Sequence, residues 1–532
     1  MFRKIESLWG DLYGDEKLYL EKLKVLLKER KQEVNYQPEN LNWHQEGVVY
    51  SLYVDLFAED FKGLTERLDY LNELGINTLW LLPILKSPMV DQGFDISDYY
   101  QVRKELGSNQ DFFNFLKKAH EKNIKILFDI AVNHSSDQHE WFQNAKKTKD
   151  ARYRDFYIWN DSKDKYKDTR LLLKGISNSN WTYNKETDDY YFHRFYDIQP
   201  DLNYKNPEVL YEMIKAFTFW RAQGVDGFRM DAAPFLWKKE GTNCENLPET
   251  HKVLKIFRVA FDYIAESTVM IAEANQMPED VIEYLGEGDE CHVVYNFPIM
   301  PRIFLSIAEN DTSYLEKQLE VVNNLQEPKG TAWFTFLRCH DELTLEFVTE
   351  QERDLMNKHY LKDESWTFRD GEGISGRLYD LVDKEVKKVL LAYSILFSIK
   401  GTPIIYFGDE IGMENDVDYY HKMNDKYGYT DSRYLNRGPF DEKKKDTAVN
   451  KPESDAGIIY HGLKDMIDIK NKQSELFKIE PEYESKNNLL ISKRKLKDKR
   501  LTIVNNLSGK EKGYKQYNLK PDEYLWILEE NL

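Results

Sequence analysis

The sequence predicts a parallel (β/α)8 barrel. Eight short apolar runs, each the length of a buried strand, alternate with stretches whose apolar residues recur at helical spacing. Polar and charged residues follow several of these runs directly, as they do at the mouth of such a barrel. The 532 residues suffice for one barrel with smaller units attached.

Residues 1–46 precede the barrel and predict a helical extension. Between residues 16 and 30, leucines recur near helical spacing among lysines and glutamates. We expect this helix to pack on the main body of its own chain. The alternative is a helix that binds a partner protein.

The predicted barrel occupies residues 47–134 and 206–474. The run 64–75 predicts an amphipathic helix that ends at a glycine, and 111–123 predicts the next helix. The eight predicted strands are 48–54, 76–83, 124–134, 224–234, 269–275, 291–297, 331–342 and 401–413.

Two segments depart from this alternation. Residues 135–205, after the third strand, form a polar and aromatic stretch that is too long for an ordinary loop, which predicts an inserted subdomain. From residue 475 to 532 the pattern changes to short strand-like runs, which predict a small all-β C-terminal domain.

Composition excludes several classes of protein. The net charge of −18 argues against binding to nucleic acid or to an anionic membrane, since both need basic patches. The opening residues lack the apolar run of a signal peptide, and no stretch reaches the roughly 18 apolar residues of a membrane span. Three scattered cysteines argue against a disulfide framework or a zinc site. We therefore expect a cytoplasmic protein without a cofactor; its oligomeric state stays open.

Titratable residues are concentrated where the predicted strands end. They include three carboxylic acids, an arginine and two histidines, and barrel geometry brings such positions to one face. Grouping like charges in one cleft costs stability, which is understandable if their pKa values must be pushed apart for catalysis. These residues are Asp231, Glu273, Asp341, Arg229, His134 and His340.

The segments that carry these residues resemble motifs of the α-amylase superfamily of glycoside hydrolases and transglycosylases. The matching motifs are DIAVNH (129–134), QPDLN (199–203), GFRMDAAP (227–234), IAEAN (271–275) and FLRCHDE (336–342), in the family order. One such motif would be weak evidence, whereas the ordered set is specific. The resemblance implies a carbohydrate substrate and the same barrel fold.

The resemblance also implies roles for individual residues. Asp231 is the expected nucleophile, Glu273 the general acid/base, and Asp341 the third carboxylate, which grips the sugar. A retaining glycosidase needs two carboxyl groups about 5–5.5 Å apart, one ionised and one protonated. Arg229 lies two residues before Asp231 on the same strand face, so we expect it to keep the nucleophile ionised. His134 and His340 are expected to donate to sugar hydroxyls.

Two further residues are expected to close the glucose pocket by resemblance. Asp91 matches an aspartate that grips the far hydroxyls of the ring in exo-acting members, and Arg437 is expected to pair with it. Such a pair would block the cleft beyond the first sugar and favour short substrates. Phe94 replaces a tyrosine that is common at the stacking position.

Longer segments resemble the trehalose synthase branch of the family, which interconverts maltose and trehalose. They are 179–184, 190–204, 240–251, 272–292, 297–304 and 340–354. The resemblance implies a retaining enzyme that passes a glucosyl group within a closed chamber. The alternatives are an exo-α-glucosidase that hydrolyses maltose, trehalose or other α-gluco-oligosaccharides, and an inactive carbohydrate-binding homologue.

Two substitutions depart from that branch. Lys238 stands where the branch carries a glutamate beside the calcium-ligand positions Asn133 and Asp201, so we expect its ammonium group to replace the cation and no metal to bind. Phe235 stands where the branch tends to have tyrosine, which removes a hydroxyl that could hydrogen-bond Glu342 or Glu346. The RTPMQW-type segment of the branch is replaced by LNRGPFDE, beginning at residue 435.

Overall fold

Eight parallel strands close into a barrel in the computed structural model, which describes residues 1–173, 177–428 and 430–530. Each strand pairs with its neighbours in chain order, and the last pairs with the first. All eight predicted strands are confirmed. They are β1 (Val49–Leu52), β2 (Thr78–Leu81), β3 (Lys125–Ala131), β4 (Gly227–Asp231), β5 (Val269–Ala272), β6 (Val293–Tyr295), β7 (Ala332–Phe336) and β8 (Thr402–Tyr406).

The strands are apolar because helices cover the outside of the barrel while side chains fill its interior. Gly227 shows how closely the strands approach at the start of β4. A Cβ atom there would lie 2.6 Å from the carbonyl oxygen of Val269 and 2.6 Å from a methyl group of Leu127. A larger residue at this position would therefore push β4 away from its neighbours.

The helices alternate with the strands as the sequence pattern predicts. The predicted helix 64–75 is divided in two, and the predicted helix 111–123 begins at a capping box between Ser108 and Asp111. The helices of at least six residues are Phe2–Tyr13, Leu18–Glu33, Phe61–Glu66, Leu68–Leu74, Asn109–Glu121, Glu140–Ala145, Pro207–Ala222, Pro248–Ile264, Ile299–Glu309, Ser313–Asn324, Glu350–Tyr360, Val386–Ser398, Val417–Tyr427, Glu442–Asn450 and Asp455–Lys472. No helix in the described ranges is long and apolar enough to cross a membrane.

Two helices precede the barrel, whereas the sequence pattern predicted one. The predicted helix is Leu18–Glu33, and Phe2–Tyr13 lies before it. The earlier helix buries Ile5 and Trp9. Phe2–Tyr13 packs on the barrel helix Pro248–Ile264, and Leu18–Glu33 packs on both Pro207–Ala222 and Pro248–Ile264.

An inserted segment follows β3 and contains a three-stranded antiparallel sheet. Its strands are Trp159–Asn160, Trp181–Asn184 and Asp189–Phe192, with the last one in the middle. The segment returns to the barrel through a bridge between Asp201 and His134. It thereby forms one wall above the ends of β3 and β4.

A second excursion, which was not predicted, follows β7. It contains the helix Glu350–Tyr360 and a small antiparallel sheet of two-residue strands, Leu343–Thr344, Thr367–Phe368 and Gly373–Ile374. Strands this short leave no alternation in the sequence. The excursion lies at the C-terminal end of the barrel strands and supplies residues to the cavity there.

The C-terminal part is an antiparallel sheet, as predicted. Its four strands are Glu482–Lys486, Leu489–Leu496, Lys499–Asn506 and Tyr524–Glu529. Arg494 is buried against the barrel helix Val386–Ser398 and donates to the carbonyl oxygens of Ser398 and Ile399, at 3.0 and 2.8 Å. This arginine therefore attaches the sheet to the barrel.

A buried ammonium group ties the inserted segment to the barrel. Lys238 Nζ lies 2.7 Å from Asn133 Oδ1, at the end of β3, and 2.7 Å from Asp201 Oδ2, at the end of the insertion. All three side chains are buried. The position predicted for Lys238 is confirmed, and its positive charge compensates the buried carboxylate of Asp201.

Replacing Lys238 with alanine should destabilise the protein strongly. Removing one partner leaves the other charge buried and uncompensated, which costs about 3–5 kcal/mol. We expect Lys238→Ala to lower the free energy of unfolding by this amount in urea titrations. Lys239→Ala is the matched control because Lys239 is exposed and its partner Glu249 lies 3.6 Å away. Equal free energies of unfolding for the two variants would show that the Lys238 contacts do not stabilise the protein.

Candidate active site

A cavity at the C-terminal ends of the barrel strands brings most of the predicted site residues together. The predicted residues that line it are Asp91, Phe94, His134, Asp231, Glu273, His340 and Asp341. Arg229 lies beneath them, and Arg437 lies behind Asp341. Seven of the nine predicted residues thus line one cavity at the C-terminal end of the barrel, and Arg229 and Arg437 lie directly behind it.

One guanidinium group holds the two carboxyl groups predicted to be catalytic. Arg229 Nη1 lies 2.9 Å from Asp231 Oδ1, and Nη2 lies 2.9 Å from Glu273 Oε1. Nη1 also contacts Asp129 Oδ1 at 2.6 Å, and Trp80 Nε1 donates to the second oxygen of Asp129 at 3.0 Å. Asp231 and Glu273 therefore converge on one side of the cavity.

The backbone after β4 adds a second donor to Glu273. Ala232 adopts a left-handed conformation, with φ 57° and ψ 34°, immediately after Asp231. Its N–H donates to Glu273 Oε2 at 2.8 Å. A residue with a Cβ atom rarely adopts this conformation, so tertiary contacts must hold the turn that aims this N–H into the site.

The proximity of the two carboxyl groups shifts the pKa of Asp231. Burial and the negative charge of Glu273 raise it well above its usual value, against the opposing effect of the Arg229 guanidinium. Burial likewise raises the pKa of Asp129 to about 6. The site therefore retains a proton to higher pH than exposed aspartates would.

Asp341 has a different electrostatic environment. Burial favours its neutral form, but His340 and the guanidinium groups of Arg433 and Arg437 outweigh burial and lower its pKa. Burial lowers the pKa of His340 to about 3, so this imidazole is neutral at pH 7 and the two arginines carry the positive charge. Asp341 is therefore ionised in the same cavity in which Asp231 tends to keep a proton.

The predicted pairing of Arg437 with Asp91 is wrong. Arg437 is buried behind the cavity, where it contacts Asp341 Oδ1 at 3.1 Å and donates to the carbonyl oxygen of His340 at 2.7 Å. Arg433, which was not predicted, lines the cavity and reaches Asp341 Oδ1 at 2.9 Å. The turn Ser432–Asn436 places Arg433 nearer to the cavity than Arg437.

Asp91 is instead linked to His134 through an amide. Gln199 Nε2 donates to Asp91 Oδ2 at 2.9 Å and lies 3.1 Å from His134 Nε2. Burial lowers the pKa of His134 to about 4, so its ring is neutral at pH 7. On the other side of the cavity, Phe94 stacks on His340 with ring centroids 5.6 Å apart.

A metal ion is not favoured among these residues. In the described part of the chain, Cys339, His340 and Asp341 place possible ligand atoms within 4.8 Å of one another. Asp341 is already in contact with two guanidinium groups, however, and their positive charge opposes a cation. The geometry favours a neutral polyhydroxylated ligand, since acceptors, donors and an aromatic face surround the cavity.

The alpha amylase catalytic domain model matches residues 42–504, which is most of the chain. The chain belongs to the α-amylase family. Trehalose synthase/amylase TreS of Mycolicibacterium smegmatis is 44% identical over 387 residues, which cover 71% of this chain and 65% of that protein. The match thus spans just under two thirds of the length of that relative.

The chain is also similar to a glucosidase in sequence and to a hydrolase of known structure in fold. Oligo-1,6-glucosidase of Bacillus cereus is 31% identical over 421 residues, covering 75% of this chain and 72% of that protein. The crystal structure of Bacillus licheniformis trehalose-6-phosphate hydrolase covers 92% of this chain and 100% of that one, with a TM-score of 0.71 and 24% identity. At this identity the likeness shows the shared fold alone.

Ion pairs join three loops across the mouth of this α-amylase-family barrel. Arg170 of the inserted segment contacts Glu245 at 3.0 Å and Glu346, after β7, at 2.7 Å. Asn275, two residues beyond Glu273, donates to the other oxygen of Glu346 at 3.3 Å. We call Arg170, Glu245, Glu346 and Asn275 the clasp. It connects the insertion with the loops after β4, β5 and β7.

Phe235 completes an apolar wall inside the clasp. Its ring packs edge-on against Phe195, with centroids 5.8 Å apart, and under the guanidinium group of Arg194 at 4.7 Å. Without the tyrosine hydroxyl of the branch, Phe235 donates no hydrogen bond to Glu342 or Glu346. Arginines face these carboxylates instead: Arg369 lies 3.8 Å from Glu342, and Arg170 contacts Glu346.

Arg433, Gln199 and the clasp were missed because their contacts join segments that are distant in sequence. Gln199 stands within the motif QPDLN, and its amide could have been noticed there. Arg433 follows Asp431 by two residues, and Asp431 holds it bidentately at 2.8–3.2 Å. That Asp-Ser-Arg spacing is the signal that could have distinguished it from Arg437.

Neutralising Arg229 should shift the pH dependence of activity. Its guanidinium lowers the pKa of Asp231, so Arg229→Gln should raise that pKa further. Because the predicted nucleophile must be ionised, the acid limb of kcat/KM should move to higher pH, by about 1–2 units. An aryl α-glucoside assayed across pH measures this shift. Arg229→Lys should shift the limb less, and an unmoved limb in a folded Arg229→Gln variant would refute the effect.

Proposed function

We propose that the protein is a retaining α-glucosyl enzyme that interconverts maltose and trehalose, as the trehalose synthases do. The single observation that carries the proposal is the shared contact of Asp231 and Glu273 with one guanidinium group. The contact brings the two carboxyl groups together in one cavity, and in the proposal Asp231 is the nucleophile and Glu273 the proton donor. The 44% identity to a trehalose synthase/amylase supports the choice of substrates.

The proposed first step forms a covalent glucosyl-enzyme. Asp231, ionised, attacks the anomeric carbon, and the bond from that carbon to the glycosidic oxygen breaks. Glu273 gives its proton to that oxygen, so glucose leaves as a neutral molecule. Because the pKa of Asp231 is raised, Asp231 and Glu273 together keep one proton. Transfer of this proton to Glu273 leaves Asp231 ionised for the attack.

The second step reverses the first with a different hydroxyl. Glu273, now ionised, removes a proton from a hydroxyl of the glucose that was released. The hydroxyl oxygen bonds to the anomeric carbon, and the bond to Asp231 breaks. Attack through the anomeric hydroxyl gives trehalose, and attack through the hydroxyl on carbon 4 gives maltose again.

The remaining cavity residues are proposed to hold the first sugar. Asp341, ionised between Arg433 and Arg437, accepts hydrogen bonds from ring hydroxyls. His134 and His340 are neutral, so each has one N–H to donate. Phe94 offers an apolar face to the sugar ring, and Asp91 accepts hydrogen bonds from sugar hydroxyls at the closed end of the cavity.

The clasp supports isomerisation over hydrolysis. The released glucose must stay, turn and attack before water does, which requires a covered mouth. Arg170 reaches across the mouth from the insertion to Glu346, and Asn275 ties Glu346 to the loop that carries Glu273. The cover is assembled from elements on both sides of the cavity.

The second candidate function is an exo-α-glucosidase with the same catalytic residues and water as acceptor. Two observations favour it: the side chain of Arg170 is 46% exposed, and Phe235 lacks the hydroxyl that would strengthen the cover. The 31% identity to an oligo-1,6-glucosidase is consistent with it. Exposed ion pairs are weak, so the cover can open.

Several sequence-based expectations stay predictions beside this proposal. They are a cytoplasmic location, no binding to nucleic acid or to a membrane, no cofactor or metal, and the domain limits. The predicted limits are 1–46 for the helical extension, 47–134 and 206–474 for the barrel, 135–205 for the insertion and 475–532 for the C-terminal domain.

Incubation with maltose separates the two candidate functions. We expect NMR to show trehalose as the main product, with glucose as a minor one. Glucose alone would establish the hydrolase. Asp231→Asn is the control for both candidates, and its activity should fall by roughly four orders of magnitude or more. Unchanged turnover in that variant would remove Asp231 from the mechanism.

Opening the clasp should divert the reaction to water. Arg170→Ala removes the ion pairs with Glu245 and Glu346, so the share of glucose among the products from maltose should rise severalfold. Cleavage of an aryl α-glucoside should change little, because Arg170 does not contact the catalytic carboxylates. Arg152→Ala is the matched control, since Arg152 is exposed and pairs with Glu208 away from the cavity. An unchanged product ratio would mean that the clasp does not retain glucose.

A further inference from the structure

Arg369 is a cavity residue to which neither the catalytic proposal nor the clasp assigns a role. It belongs to the excursion after β7 and lines the cavity beside Glu342, Glu346 and Phe368. These residues lie on the outer side of the catalytic pair, towards the clasp. A second sugar, bonded to the one beneath which Asp231 lies, would extend in this direction.

The backbone at Arg369 is held in an unfavourable conformation. Arg369 and Asp370 have φ values of 49° and 52°, in the left-handed region that side chains with a Cβ atom rarely adopt. Neither residue is a glycine. Two consecutive residues of this kind persist only where the surrounding structure imposes them, and such positions concentrate at ligand sites.

The guanidinium group of Arg369 forms long ion pairs with the carboxylates around it rather than hydrogen bonds. Glu342, Glu346 and Glu372 lie 3.8, 3.6 and 3.6 Å away, beyond hydrogen-bond distance. Among the described residues no side-chain hydrogen bond of Arg369 is formed, and its buried Nε has no partner.

Other arginines at this cavity are bound more closely. Arg433 contacts Asp341 at 2.9 Å, and Arg170 contacts Glu346 at 2.7 Å. Arg369 differs from both because its planar N–H groups keep their donor capacity while its charge is balanced nearby. A group in that condition can bind a neutral ligand that supplies oxygen acceptors.

We propose that Arg369 is an acceptor-binding residue, which holds the hydroxyls of the second glucose and orients it for attack. This inference rests on the proposed function. Neighbouring hydroxyls of a sugar can accept hydrogen bonds from the edge of the guanidinium group and donate hydrogen bonds to the adjacent carboxylates. Arg369 flanked by Glu342 and Glu346 therefore suits a diol. Phe368 supplies an apolar surface beside it.

Arg369→Gln in the full chain tests the proposal, because it should impair the reaction with maltose but not the cleavage of an aryl α-glucoside. Loss of a hydrogen bond to a charged group should raise KM for maltose by about tenfold or more. It should lower the ratio of trehalose to glucose by a similar factor. For an aryl α-glucoside, whose leaving group offers no sugar hydroxyls, kcat/KM should stay within about twofold, as the two catalytic carboxylates are untouched.

Arg369→Lys separates hydrogen bonding from charge. Lysine keeps the positive charge among the three carboxylates but lacks the planar fork, so it should not restore the product ratio. Full restoration by lysine would reduce Arg369 to a structural counter-charge and overturn the proposal. Asp370→Asn is the matched control, because asparagine tolerates the same backbone conformation and the side chain of Asp370 is exposed.

The outcomes distinguish failure of this inference from failure of the proposed function. If the unaltered protein forms no trehalose from maltose, the isomerase proposal fails, yet the KM split between maltose and the aryl glucoside still tests Arg369. If the unaltered protein forms trehalose and Arg369→Gln leaves both KM and product ratio unchanged, Arg369 does not bind the second sugar. Thermal unfolding of each variant shows whether it is folded.

Discussion

The site depends on one buried cation that is shared by three carboxyl groups. Arg229 contacts Asp129, Asp231 and Glu273, which come from three adjacent strands of the barrel. One positive charge cannot balance three negative ones in a buried place, so the cluster keeps protons that exposed acids would lose. The barrel enforces this imbalance, because parallel strands deliver their final side chains to a common point.

The loops around the mouth of the barrel cover the cavity above these carboxyl groups. The insertion after β3, the turn after β4 and the excursion after β7 each contribute side chains that meet one another above the cavity rather than within their own segments. In the proposed mechanism, strand ends carry the catalytic carboxyl groups, and the loops determine which acceptor attacks. This division explains how one barrel can serve hydrolases and isomerases within the same family.

Strand periodicity made the barrel and its strand-end residues predictable, whereas contacts that depend on long-range packing were missed. Buried parallel strands are continuous apolar runs, so β1 to β8 and the residues at their ends could be assigned. The assignment of Arg437 failed because the turn from Ser432 to Asn436 decides which arginine faces the cavity, and Asp431 fixes that turn. The excursion after β7 was missed because its strands have two residues each, which is too short for a pattern.

The lysine that joins the insertion to the barrel differs from a bound metal ion in one practical respect. A bound divalent ion can be lost to a chelator or to a fall in its supply, whereas an ammonium group attached to the backbone travels with the chain from synthesis onward. Lys238 ties the insertion to the barrel through side chains of the polypeptide itself. We therefore expect this wall of the cavity to assemble as the chain folds, without a divalent ion at this position.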